Sequence, residues 1–303
     1  MKLSIIIPVL NDGEEVNLTI KSIRETTKKN EVEIIVVDDG SDAPVKIEDS
    51  DVRLFRFNNR IGAGQARHFG ATVATSKLLL FTDSHMRFDE HWYNIAIYKM
   101  LDEPKTLWCC SCLGLDEKNM NMKSPYGVYT GADFVLYNKN TNTFFDGVWK
   151  AEIKNEDDYE ISCVMGACYF IHRDWYFHIR GLEKTTMWGS EEPILSIKTW
   201  LSGGTVKIMK SVKLGHKFRN VSSYVTDMSH VQYNKLAYMY MILPDDMYDL
   251  IKSKFPNDGN TITALNMVEK NKTELDKEKE YYKSIFVYDV NWFIEKFKIC
   301  LSK

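Results

Sequence analysis

The chain has 303 residues, 44% of them hydrophobic and 27% charged, with a formal net charge of −3. That is the make-up of a soluble globular protein with one large or two modest domains and material for a sizeable core. No run of about 20 apolar residues offers a membrane span, and the slight acidity does not single out a nucleic-acid binder, although a local basic patch is compatible with one.

The start, MKLSIIIPVLND, has a short apolar run followed by Asn11, Asp12 and two glutamates, which fits a first strand better than a signal peptide. VNLTIKSIRET then places Val16, Ile20 and Ile23 at helical spacing. EIIVVDD is a second strand and VRLFRF a third, Gly64 to Thr75 a helix, and KLLLFTD a fourth strand. Such alternation predicts an α/β fold with a mostly parallel sheet and helices on both faces. Ligands of such sheets bind beyond the C-terminal strand ends, so the tips Asn11-Asp12, Asp38-Asp39 and Asp83-Ser84-His85 are expected in one crevice.

Each tip has more than one reading. Residues i and i+2 of a strand share a face, so Asp83 and His85 converge on one object, a divalent metal or merely solvent at a turn, while Ser84 points away. VVDDGSD lets Asp38 or Asp39 accept from a base or ribose, or else cap a turn. IGAGQARHFGA lacks the third glycine of a dinucleotide fingerprint, since Arg67 stands there. It reads instead as a helix start at which free N–H groups and Arg67 face an anion such as a diphosphate, or as a plain helix terminus.

Residues 105 to 180 read as mixed strand and loop, and 189 to 202 as a helix with Pro193 in its first turn. Glu191-Glu192 at that helix start is an acid/base pair or a complement to the helix dipole. The segment GGTVKIMKSVKLGHKFRN holds Lys207, Lys210, Lys213, Lys217 and Arg219 without an acid, and its His216 gains weight only beside a metal. Beyond about residue 228 the pattern turns helical, with a Lys/Glu-rich end. Cys109, Cys110, Cys112, Cys163, Cys168 and Cys300 lack paired zinc spacing, and with no secretory signal they are expected as free thiols in a cytoplasmic protein.

The order of these motifs resembles a family. SIIIPVLND, EIIVVDDGSD and Asp83-Ser84-His85 look like the GT-A nucleotide-diphospho-sugar fold of family-two-like glycosyltransferases. CVMGACYFIHRDWYFHIRGL and MWGSEEPILSIKTWLSGGTVKIMKSVKLGHKFRN resemble the catalytic domain of polypeptide N-acetylgalactosaminyltransferases, the likeness covering about residues 3 to 245. It implies a GT-A domain over 1–225 (nucleotide-binding half 1–115, acceptor and metal half 116–225) with a mainly helical extension over 226–303. It implies a metal-dependent transfer from a UDP-sugar to an acceptor hydroxyl, with retention.

Carried over by position, Asp83, His85 and His216 would hold Mn²⁺, with Mg²⁺ as the alternative. Asp38, Asp39 and the backbone from Pro8 to Asn11 would face uracil and ribose. Arg67, Asp83 and Ser84 would face the diphosphate, and Arg219 would stabilise it. Trp188 and Glu191 would line the sugar and acceptor. Gly189-Ser190-Glu191-Glu192 and the shortened NVSSYVTDMSH depart from the family's pattern, so neither N-acetylgalactosamine nor a peptide acceptor follows. A protein, a glycan and a hydroxylated DNA base are the acceptors considered, the last suggested by the basic segment. An inverting enzyme with Glu191 or Glu192 as base, and a non-catalytic nucleotide-binding module, are the alternatives.

Overall fold

The structure, a computed structural model, describes residues 2–115, 128–151, 155–219 and 224–299. The sixth cysteine, Cys300, and residues 220–223 of NVSSYVTDMSH lie outside them. The chain opens β1 (Leu3–Val9), α1 (Gly13–Thr26), β2 (Val32–Asp38), β3 (Arg53–Arg56), α2 (Ala63–Val73), β4 (Leu78–Thr82) and β5 (Met86–Phe88). It continues with α3 (Trp92–Asp102), β6 (Thr106–Gly114), β7 (Val128–Tyr129), β8 (Ala132–Asn138), β9 (Thr143–Trp149), β10 (Asp158–Glu160), β11 (Cys168–His172) and α4 (Arg173–His178). The last third is α5 (Glu191–Leu201), β12 (Thr205–His216), α6 (Met228–Ile242), α7 (Asp245–Lys252), α8 (Gly259–Lys270), α9 (Lys272–Ile285) and α10 (Val290–Phe297).

The expected α/β architecture is what the chain adopts. The main sheet runs β10-β12-β6-β11-β4-β1-β2-β3, with β5 added beside β12 and β7 beside β6. β1, β2 and β4 are buried almost throughout, as near-continuous apolar strands covered on both faces should be. β1 is parallel to β2 and β4, and β12 is parallel to β6. β11 is antiparallel to both β4 and β6, so those two run the same way. The C-terminal ends of β1, β2, β4, β6 and β12 therefore open on one edge.

The apolar positions of α1, Val16, Ile20 and Ile23, are buried against this sheet as their spacing requires. α5 is buried along nearly its whole length, between the sheet and the later helices. Lys198 on α5 is wholly enclosed: its ammonium donates to Gly181 O and lies 5.1 Å and 5.5 Å from the Tyr238 and Tyr282 ring centres. Burial pushes its pKa down to about 7 although Glu278 opposes the shift. The five described cysteines are free and buried, as small hydrophobes.

Candidate functional site

Three separated segments meet at the open edge. Asp83 follows the last residue of β4, and its N–H donates to Ala167 O at 3.0 Å. The chain then turns into β5, where Met86 pairs with His216 at the end of β12 and Lys217 N–H donates to His85 O at 3.1 Å. This cross-strand register draws Asp83 and His85 to His216. A turn at 84–85, rather than strand alternation, makes the two residues converge.

Ligand atoms of Asp83, His85 and His216 all lie within 4.8 Å of one another, and His216 Nε2 is 3.4 Å from Asp83 Oδ2. Nitrogen and oxygen ligands sit about 2.0–2.2 Å from a first-row divalent ion, so neighbouring ligands of one ion lie about 3 Å apart. The donor set fits such an ion, and the Asp83–His216 pair is already near that spacing. Burial lowers the pKa of His216 despite Asp83, keeping the ring neutral with a lone pair to offer. Burial alone would raise that of Asp83, but the His216 hydrogen bond and the Arg67 charge outweigh it and keep the carboxylate ionised.

Around the triad the charges are tightly paired. Arg67, 5% exposed, donates to Asp83 Oδ1 at 2.8 Å and stands 3.9 Å from Glu191 Oε1. Arg67 is thus no solvated helix-end arginine; its anions in the free protein are the protein's own carboxylates. Ser84 does not point away into nothing: its hydroxyl donates to Asp12 Oδ2 at 2.5 Å. The same oxygen accepts from His85 Nδ1 at 3.0 Å, and Asp12 Oδ1 pairs with Arg219 at 2.5 Å. Asp12 belongs to a tip placed in the crevice from sequence, yet no role could be read for it there, because its partners lie on two other segments.

The cleft is lined by Pro8, Val9, Leu10, Asp12, Asp39, Arg60, Ala63, Arg67, Asp83, Ser84, His85, Trp188, Arg219 and Tyr224. Asp39 accepts from the N–H groups of Ile61 (2.6 Å) and Gly62 (3.0 Å), and burial raises its pKa despite these bonds. Asp38 departs from expectation. It is fully buried, takes no part in the cleft lining, and accepts from Ser41 N, Val45 N and Arg56. Burial would raise its pKa, but these donors lower it.

Asn11 also turns out of the cleft, at φ 54°, exchanging hydrogen bonds with Asp42. Trp188 is 43% exposed at the cleft. Glu191 is not a wall of the cleft: it is 2% exposed, and its Oε2 accepts from Gly189 N at 2.9 Å. Burial raises the pKa of Glu191 and of its neighbour Glu192, with Arg67 opposing. Most of the basic segment is neutralised within the fold, Lys207 by Glu103, Lys217 by Glu15 and Arg219 by Asp12, while Lys210 donates to Asn155 O. It is not the open cationic stripe its composition suggests.

Residues 4–179 match the model of the family described as Glycosyl transferase family 2. Human polypeptide N-acetylgalactosaminyltransferase 10 is 28% identical over 234 residues, 73% of this chain and 38% of that protein. Its mouse counterpart is 25% identical over 307 residues, 97% of this chain and 50% of that protein. The chain thus spans half or less of the length of these relatives. A crystal structure of GalNAc-T7 with UDP, GalNAc and Mn²⁺ gives a TM-score of 0.75 at 18% identity, covering 98% of this chain and 57% of that one. S. aureus TarS 1–349 in complex with UDP-GlcNAc gives 0.54 at 14%, covering 97% and 81%. At these identities the solved structures speak for the fold.

Proposed function

The chain belongs to glycosyl transferase family 2, and on that premise we propose that it moves a sugar from a UDP-sugar to an acceptor hydroxyl. The observation that carries the reading is the Asp83, His85 and His216 cluster, of which Asp83 and His85 line the cleft. One carboxylate with two imidazoles suits Mn²⁺, whereas an all-oxygen set would favour Mg²⁺. When bound, the cation supplies Lewis-acid stabilisation of the leaving diphosphate.

The other roles belong to the protein. Arg67 and Arg219 flank the triad, and each exchanges part of its carboxylate pairing for phosphate oxygens. Pro8 to Leu10 and Asp39, with the loop that Asp39 holds, form the wall for base and ribose. Trp188 offers its exposed ring to the sugar and acceptor.

We favour retention, with the acceptor's hydroxyl proton passing to the departing phosphate oxygen, so that no protein base is needed. The enclosure of Glu191 supports this, since a base for inversion must meet the acceptor. The internal pairing of the basic segment favours a protein or glycan hydroxyl over a DNA base. Titrating Mn²⁺ calorimetrically in the presence of UDP tests the site: Asp83→Ala and His216→Ala are each expected to abolish metal-dependent UDP binding while circular dichroism stays native. Normal binding by His216→Ala would overturn the proposed centre, and NMR of the product anomer decides retention.

A further inference from the structure

We propose that Asp12 is a positioning residue that fixes the tautomer and orientation of His85, so that Nε2 is the nitrogen offered to the metal; this rests on the metal-centre reading above. Asp12 occupies the N-cap position of α1, where an aspartate ordinarily accepts from the first free helix N–H groups. It makes no such side-chain bond. The carboxylate reaches across the site instead, forgoing a cap worth about 1 kcal/mol. Oδ2 takes the Ser84 hydroxyl and His85 Nδ1, and Oδ1 takes Arg219.

An ionised carboxylate can only accept. A neutral imidazole bonded to it through Nδ1 must therefore carry its proton there, leaving the lone pair on Nε2. The pairing with Ser84 and Arg219 holds the carboxylate in one place, and with it the plane of the ring. Asparagine, nearly the same shape, would present an N–H₂ as readily as an oxygen. The imidazole could then accept at Nδ1 and place its proton on Nε2, where a metal must bind.

Two measurements test this. In metal-free protein, ¹⁵N NMR of the imidazoles is expected to show His85 as the Nδ1–H tautomer, and Asp12→Asn is expected to convert it wholly or partly to Nε2–H. With UDP present, the electron paramagnetic resonance signal of free Mn²⁺ should report affinity weaker by about tenfold or more in Asp12→Asn. Asp12→Glu should recover part of the loss. Glu15→Gln, which removes a nearby acid that touches Lys217 and Arg87 but not His85, should bind Mn²⁺ as wild type does.

An Nε2–H tautomer in the wild type would overturn the proposal. So would Asp12→Asn binding Mn²⁺ within about twofold of wild type while His85→Ala loses it. A wild-type protein that binds no Mn²⁺ at all would sink the metal-centre reading, and the NMR arm would still decide what Asp12 does to His85.

Discussion

Gly62 joins the two loops that would embrace the donor, and replacing it by alanine tests that junction. Its φ is 90° and ψ 159°, a region essentially reserved for glycine. A Cβ there would lie 2.0 Å from Met187 Cα, 2.2 Å from its oxygen and 2.4 Å from its carbonyl carbon. These neighbours are backbone and cannot rotate aside. The forced dihedral costs about 1–3 kcal/mol and the overlap about 1–3 kcal/mol more, giving about 2–6 kcal/mol for Gly62→Ala.

Relief requires the Met187–Ser190 loop to withdraw or the Gly62 N–H to leave Asp39. Either movement disturbs the cleft wall, because Asp39 and Trp188 both line it. Differential scanning calorimetry should show the midpoint falling by about 5–15 °C, and calorimetric titration should show weaker UDP binding. Gly259→Ala is the control: no atom lies within 4 Å of its Cβ position, at the first turn of α8, so its midpoint should hold or rise slightly. If Gly62→Ala melts and binds UDP as the wild type does, the two loops do not bear on each other as described.

Two further changes separate structural from ligand-facing carboxylates. Asp38→Asn leaves the Arg56 guanidinium short of its buried partner, so denaturant unfolding should register a loss of about 3 kcal/mol, while UDP affinity stays near that of the wild type; a selective loss of UDP binding would restore Asp38 to the nucleotide. Glu192 has a folded pKa raised above its ordinary 4.5 by burial and by Glu191. The stability contribution of its protonated form is therefore complete below 4.5 and is lost as pH rises through the raised value. Melts across the acid-to-alkaline range should show the wild type losing stability with rising pH relative to Glu192→Gln; parallel curves would refute the assignment.

Much of this was legible in the chain itself, and for a physical reason. Apolar runs such as LSIIIPVL and EIIVVDD leave little choice but buried strands, and Val16, Ile20 and Ile23 recur at the helical period. Alternation of the two then dictates a parallel sheet whose polar tips share an edge. The family followed from the order of motifs. Asp83, His85 and His216 became a trio only through that resemblance, since nothing local ties His216 to Asp83.

What the chain could not disclose is which partner each charged group takes, because partners come from segments that only folding brings together. Asp38 and Asp39 are adjacent and alike in sequence. The backbone turns Asp38 into the core toward Arg56 and leaves Asp39 at the cleft with the Ile61 and Gly62 amides. Lys207 of β12 and Lys217 just beyond it look free by composition, yet Glu103 and Glu15 meet them across the fold. Asp12 looks like a helix cap, and it serves His85 and Arg219 because β5 pairs with β12 and carries the site to within its reach.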